Sequence, residues 1–377
     1  MTQKESKLRQ YDWTFQGANS REGVHSIHPY PAKFIPQIPR QLIEIYADSE
    51  SDVVFDPFCG SGTALVEAMK KGHPSIGVDV HPLACLISRV KTRPLPDDFG
   101  NRAREITTSV RNRYPGDVEP PDLPNIDHWF KKPIQQALTL IIDELEQIED
   151  DPTKEALQVA LSSIIVTVSN QDSNTRYAAV EKDITAEDVL QKFSQAASKI
   201  ESAFRKNSEW RRNSATCDVL NENILEVDPS EISQKVDLVI TSPPYPNAYE
   251  YWLYHKYRMY WLGLADPTEV KENEIGARPH YQGSNPRDET DFEERMKSLF
   301  DLLRDITTEN ATASFVVGRS IIQGEEVDNG KVLERAADSA GFYTADSASR
   351  SIPSNTKSFN PGYSKIKDEK ILTFRKQ

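Results

Sequence analysis

Two short stretches hold the residues whose types and spacing could do chemistry. The first runs Asp56-Pro57-Phe58-Cys59-Gly60-Ser61-Gly62-Thr63, an acid and a proline followed by a spaced glycine pair. Glycine tolerates positive φ and lets a ligand approach the backbone closely. A turn of this kind opening a helix aims free N–H groups at a bound molecule. Asp79 follows Gly62 by 17 residues, close to the spacing at which an acid meets ribose hydroxyls in nucleotide-binding folds. A dinucleotide is not demanded, because Leu65 stands where Gly-x-Gly-x-x-Gly needs its third glycine. The second stretch is Thr241-Ser242-Pro243-Pro244-Tyr245. Adjacent prolines stiffen the chain and remove two donors, leaving carbonyls to face a site. Ser242 adds a hydroxyl and Tyr245 an aromatic face. Each stretch alone reads more readily as a tight turn or a proline-rich strand exit than as a site; together they define a candidate site.

Both must be held by strand ends. The segment 52–58 is a short apolar run stopped by Asp-Pro, the pattern of a buried strand. Residues 63–72 read as a helix closed by Gly72, and 75–80 as a second strand, giving the start of a parallel α/β sheet. The proline-rich stretch ends another apolar strand, 235–241. Residues 34–46 read as a short helix entered through prolines. Between about 95 and 212 the pattern turns mostly helical. Ile134, Leu138, Ile141, Ile142, Leu145 and Ile148 recur at helical spacing behind Pro133. Thr185-x-x-Asp188 caps a further helix whose apolar face carries Val189, Phe193, Ala197, Ile200 and Phe204. The expected organisation is 1–94 and 213–377 forming one α/β domain, with 95–212 as a helical insertion.

The chain has 377 residues, 37% of them hydrophobic and 27% charged, as expected of a folded, well-solvated protein. No apolar run approaches the ~20 residues of a membrane span, and residues 1–13 lack a signal-peptide core, so a cytoplasmic location is expected. Cys59, Cys85 and Cys217 show no metal or disulfide spacing. No metal site is expected. The net charge of −13 opposes phosphate binding by the molecule as a whole, but a local basic face suffices. Basic clusters occur at 205–212, 255–258 and from Arg350 to Lys376.

The combination of motifs resembles the S-adenosylmethionine-dependent amino-methyltransferases of DNA, which modify N4 of cytosine or N6 of adenine. Residues 55–63 resemble their cofactor motif and 242–245 their catalytic motif. Residues 28–39 resemble the segment packing over the methionine end of the cofactor, 77–82 the ribose-binding strand end, and 217–220 the segment whose acid meets adenine. The resemblance implies a Rossmann-like class I methyltransferase sheet. Lys33, Asp56, Pro57, Phe58, Gly60, Gly62, Thr63, Asp79 and Asp218 would bind the cofactor, and Ser242, Pro243, Pro244 and Tyr245 would handle the target base. Serine at the head of the catalytic motif leans towards cytosine-N4. Adenine-N6, or an RNA base, is the alternative. Double-stranded DNA is the implied partner, with a cognate restriction endonuclease possible in such systems. Two features depart from the family's usual pattern: the cofactor motif precedes the catalytic one, and a long insert separates Asp79 from Asp218.

Gln171, Asn174, Arg176 and Tyr177, in a polar segment between two helices, are residue types that read base edges or stack. With Lys256 and Arg258 they are the candidate nucleic-acid contacts, and 276–287 is a second polar segment of the same kind. A nicotinamide-linked oxidoreductase is opposed by Leu65 and by the Ser-Pro-Pro-Tyr sequence. A non-catalytic DNA-binding module is opposed by the same intact motif.

Overall fold

The computed structural model describes residues 6–33, 35–174, 176–206, 215–247, 249–352 and 368–377. Among them the strands are β1 (Val54–Asp56), β2 (Ser75–Val78), β3 (Cys217–Leu220), β4 (Val236–Thr241), β5 (Thr307–Val317), β6 (Arg319–Ile322), β7 (Glu325–Asp328), β8 (Phe342–Ser351) and β9 (Asp368–Lys376). Seven form one sheet in the order β3-β2-β1-β4-β5-β9-β8. The first five run parallel, and β9 lies antiparallel between β5 and β8. β1 and β2 are buried along their whole length, as parallel strands covered on both faces must be.

The order fixes where a ligand can sit. The chain leaves β1 towards β2 on one side, and returns much later to place β4 on the other. Such a reversal opens a crevice beyond the carboxyl ends of the two central strands. The glycine turn follows β1 and the proline pair follows β4, so both motifs open into that crevice.

The helices are α1 (Gln37–Tyr46), α2 (Thr63–Lys70), α3 (Pro82–Thr92), α4 (Phe99–Arg113), α5 (Ile126–Trp129), α6 (Lys132–Glu146), α7 (Asp151–Val168), α8 (Ala186–Arg205), α9 (Tyr251–Leu262), α10 (Pro267–Asn273), α11 (Glu289–Ile306) and α12 (Asn329–Ser339). α8 begins with the expected reciprocal cap, Thr185 and Asp188 each satisfying the other's backbone N–H. α4 to α8 make up the insertion. They are not a separate body: Phe99, Phe130, Leu157, Phe193 and Phe204 share one core with Leu83, Leu86 and Ile87 of α3 and with Tyr257 and Trp261 of α9. Burying side chains of this size contributes about 1.5–3 kcal/mol each, so the insertion is anchored to the sheet domain by its own apolar faces. The polar strand β8 and the β6–β7 hairpin carried no alternating apolar signal in the sequence. The 205–212 basic cluster lies mostly outside the described residues, as does 353–367 of the C-terminal one.

Candidate active site

The two motifs are joined directly. Asp56, at the end of β1, accepts a hydrogen bond from Thr241 Oγ1 of β4 at 2.6 Å and from the Phe58 amide at 3.1 Å. It is fully buried, and burial pushes its carboxyl up to about 7 against the pull of those two bonds. Asp56 therefore fixes the strand ends and does not line the cleft.

The glycine turn is locked from behind. Gly62 has φ +73, and a Cβ there would lie 2.8 Å from Ser88 Oγ and 3.2 Å from the Ser88 Cα, so only glycine fits. Ser88 Oγ donates to Gly60 O at 2.8 Å, and the buried Lys91 Nζ donates to Ser61 O at 2.6 Å. The turn's amides are also largely taken. Phe58 N donates to Asp56, Cys59 N to Val78 O, Gly60 N to Asp79 Oδ2 and Gly62 N to Cys59 O. The sequence suggested free N–H groups awaiting a ligand. Instead the turn spends them on itself and offers a rigid, close-fitting wall.

Asp79 completes that wall. Its two oxygens each accept a backbone amide at 2.8 Å, Gly60 N and His81 N. Burial nevertheless raises its carboxyl to about 6. A carboxylate has about four acceptor sites, so capacity remains for ligand hydroxyls on the side facing the cleft.

One continuous cleft is lined by Lys33, Pro57, Phe58, Gly60, Thr63 and Asp79 on the glycine-turn side, and by Ser242, Pro244 and Tyr245 on the other. Pro243 faces a second groove, which shares Lys33, Ser242, Pro244 and Tyr245 with the first. The roof over the turn comes from 30–33. Tyr30 stacks on Tyr251 and His255, with centroids 5.6 and 5.0 Å apart. This roof is tied to α2 by the buried pair His25 Nε2–Glu67 Oε1 at 2.7 Å, with Arg40 on the other Glu67 oxygen. Lys33 donates to His25 O at 2.6 Å and is drawn down to about 8, first by burial and then by Arg21 and Lys199.

Tyr245 is held at both ends. Its hydroxyl donates to Glu369 Oε1 at 3.2 Å. Its carbonyl oxygen lies against Gly276, where a Cβ would come within 2.5 Å. Burial raises the phenol well above its usual range, with Glu369 adding to it. The Tyr245 hydroxyl is thus a donor and not a base.

Several expected residues are elsewhere. Asp218 is exposed on the edge strand β3 and accepts from Ser233 Oγ at 3.2 Å; Glu222 and Asn223, just beyond β3, reach the cleft in its place. Gln171 is buried, its amide donating to Ser173 O. Arg258 is fully buried and serves as a strut: it donates to Ser162 O at 3.0 Å, Tyr254 O at 3.0 Å and Asn174. Burial lowers it to about 9. Neither Gln171 nor Arg258 has a free face for nucleic acid. Tyr177 stacks on Tyr257 and packs on Trp129, so one ring face is spent on packing. Arg176 is exposed beside Asp172, Lys256 lies over the Tyr260 ring, and Asn174 lines the second groove.

Residues that sequence reasoning missed include Tyr30, Tyr249, Tyr251 and Glu274, all in the cleft lining. The aromatic run 249–261 signalled burial, but not that its first turn borders the cleft. The chemistry open to the site is narrow. Cys59 borders the cleft, but burial pushes its thiol well up, which removes the thiolate needed for covalent attack. Among the described residues no cluster could hold a metal ion, and no helix is long and apolar enough to cross a membrane. The lining does suit a nucleoside-bearing ligand. Pro57, Phe58, Ile224 and Ile275 offer apolar faces, Asp79 faces the cleft, and the buried Ser61 Oγ and Glu274 Oε2 have no partner within the protein.

Residues 2–89 match the family described as DNA methylase. The chain is 28% identical over 282 residues to the Type II methyltransferase M.MvaI of Kocuria varians, covering 69% of this chain and 62% of that protein. It is 22% identical over 385 residues to the Type II methyltransferase M.MjaII of Methanocaldococcus jannaschii, covering 78% and 72%. It is 23% identical over 290 residues to the Type II methyltransferase M.BsoBI of Geobacillus stearothermophilus, covering 68% and 55%. The chain thus spans somewhat over half to about three quarters of the length of these relatives.

Proposed function

We propose that this chain is a DNA amino-methyltransferase of the N4-cytosine/N6-adenine kind, in line with the family and the Type II methyltransferases it resembles, and that it methylates the exocyclic N4 of cytosine in double-stranded DNA, using S-adenosylmethionine. The observation that carries the reading is the shared cleft: the glycine turn with Asp79 and the Ser242–Tyr245 segment face one another across it, pinned together by the Asp56–Thr241 bond.

Bound S-adenosylmethionine supplies an electrophilic methyl group on a sulfonium. Asp79 would accept from the ribose hydroxyls, Phe58 and Ile224 would hold the adenine, and Thr63, Ser61 and Lys33 would hold the methionine end. The exocyclic amine of a base is a poor nucleophile, because its lone pair is delocalised into the ring. Ser242 Oγ and the Pro243 carbonyl would accept hydrogen bonds from its two N–H groups, which makes the nitrogen more tetrahedral and aims the lone pair into the cleft. The gain is orientation and charge placement rather than strong basicity. The base must leave the duplex to reach this point, and Tyr245, clamped by Glu369 and Gly276, gives it a flat surface to rest on.

The second groove suits the strand that carries the base. Arg21, Lys33, Lys199 and Arg350 border it, and Ser163 and Asn174 of the insertion form its far wall. Among the described residues Arg21, Lys33 and Lys199 have no carboxylate partner; burial lowers Lys199, and Arg21 adds to that. Mutually repelling cations left unpaired on a chain of net charge −13 are arranged for a polyanion. Serine, rather than Asp or Asn, at position 242 favours cytosine over adenine. The test is to incubate DNA with the protein and cofactor, digest it to nucleosides and identify the methylated one by mass spectrometry. N4-methylcytosine is expected. N6-methyladenine would correct the base, and modification of RNA alone would remove the DNA assignment.

A further inference from the structure

Glu274 is the least explained charged group in the cleft. It follows α10 directly and is only 7% exposed. Its Oε1 accepts the Trp252 amide at 2.6 Å, at the start of α9. Its Oε2 has no partner in the protein, although the residue borders the cleft. An unpaired buried carboxylate oxygen is costly, so the fold retains it against its own stability. The backbone amides of Trp252 and Tyr251 favour its ionised form, but they do not offset burial and the acids nearby. Asp79 faces it from the β2–α3 turn, Glu250 from the approach to α9, and Tyr30 and Tyr251 from the roof; Asp79 and Glu250 both disfavour its ionisation, after burial itself. Among the described residues no lysine or arginine forms an ion pair with it.

The location is informative. Gly276, two residues on, is packed so tightly on the Tyr245 carbonyl that a Cβ would lie 2.5 Å from it. Glu274 is thereby fixed between the ribose-binding acid Asp79 and the segment that presents the target amine. Resting on the function proposed above, we propose that Glu274, assisted by Asp79, reads the positive charge of the sulfonium. The cleft would then hold S-adenosylmethionine in preference to S-adenosylhomocysteine.

The two molecules share adenine, ribose, carboxylate and α-amine. They differ in one methyl and in one charge. As the methyl passes from sulfur to the amine nitrogen, an N–CH3 bond forms, the S–CH3 bond breaks with its electron pair left on sulfur, the sulfonium becomes a neutral thioether, and the methylated nitrogen gives up a proton to solvent. From that moment the unpaired carboxylate has lost its counter-charge. The product becomes the poorer ligand, and the site favours its exchange for fresh cofactor. A cation beside a crowded carboxyl also favours its ionised form, so binding of the sulfonium should release a proton that binding of the thioether does not.

The experiment is titration calorimetry of both ligands, on wild type and Glu274→Gln, in two buffers of different ionisation enthalpy near neutral pH. Glu274→Gln keeps the acceptor for Trp252 N but not the charge. The expected result is that affinity for S-adenosylmethionine falls roughly tenfold, the scale one partly screened charge contact supports, while affinity for S-adenosylhomocysteine changes less than about threefold. In wild type, more protons should leave with the first ligand than with the second, and the variant should lose the difference. Equal weakening for both ligands would overturn the proposal and assign Glu274 to a shared group, as would unchanged affinity for both. If Glu274→Gln does not fold, the wild-type comparison decides alone: equal proton release refutes the charge-reading role. Failure of wild type to bind either ligand would instead bring down the functional reading, and this inference with it.

Discussion

Gly276→Ala should slow methyl transfer sharply while leaving the fold intact. The added Cβ would sit 2.5 Å from the Tyr245 carbonyl oxygen, 3.2 Å from its carbonyl carbon and 3.3 Å from Pro244 Cβ. Two of those three are backbone atoms, so no rotamer change relieves the clash. Restoring an ordinary contact means moving the Tyr245–Pro246 peptide by roughly 0.5–1 Å. Overpacking of this kind costs about 1–3 kcal/mol, which a domain of this size can lose and still fold. A displacement of about 1 Å at the reacting centre costs on the order of 100-fold in rate. The assay is single-turnover transfer of a labelled methyl group to a DNA duplex, beside a thermal melt of the same preparation. A roughly 100-fold loss in the rate constant, with a melting point lowered by only a few degrees, is expected. A variant that melts normally and transfers at wild-type rate would refute the claim that the position of this peptide matters.

Asp56→Asn separates positioning from binding. Burial lifts the Asp56 carboxyl from 3.8 to about 7, so the folded state holds a proton that the unfolded state gives up earlier. Stability from this group is lost as pH rises through that window, by on the order of 1–4 kcal/mol. The stability of Asp56→Asn relative to wild type should therefore climb between pH 4 and 7 in urea titrations; a difference independent of pH would remove the buried-acid assignment. Replacing Arg21 and Lys199 together by alanine should lower the slope of log affinity for DNA against log salt by about two, roughly one per phosphate contact, with cofactor affinity unchanged. An unaltered slope would place the DNA elsewhere. Arg258→Ala should destabilise by about 3–5 kcal/mol, as breaking a buried charged network does, measured by denaturant unfolding; wild-type stability would show that the strut carries no load.

The parallel start of the sheet and the two motifs at its strand ends were legible in the sequence because they depend on local signals. Apolar runs stopped by Asp-Pro and Pro-Pro are strand ends, and Gly62 can be read as a turn residue without knowing what Ser88 does behind it. Helices α6 and α8 were legible from their spacing, and the Thr185–Asp188 cap from the residue types. What was not legible depends on facing. Asp218 alternates outward on an edge strand, and nothing local reveals that. Arg258 and Gln171 have the chemistry of nucleic-acid contacts, but Arg258 turns inward from α9 onto Ser162 O of α7, and Gln171 is buried with its amide on Ser173 O. Conversely, Glu274 looks like one more solvated acid in a charged segment. Only the fold shows that it is buried beside Asp79. The polar sequence of β8 hides a strand because its pairing with β9, not its own pattern, holds it in place.

The central claim is that cofactor and target base are served by opposite walls of one cleft. It is tested most directly by measuring cofactor affinity and single-turnover methyl transfer on the same preparation of Tyr245→Ala. Tyr245 borders the cleft on the Ser242 side, and its hydroxyl is tied to Glu369. Removing the ring takes away a base-stacking surface worth about 1–3 kcal/mol and loosens the segment that aims the amine. The account predicts S-adenosylmethionine affinity within a few-fold of wild type and transfer reduced by at least about 100-fold. Near-normal transfer, or loss of cofactor binding in a folded protein, would contradict it and leave Tyr245 as a packing residue.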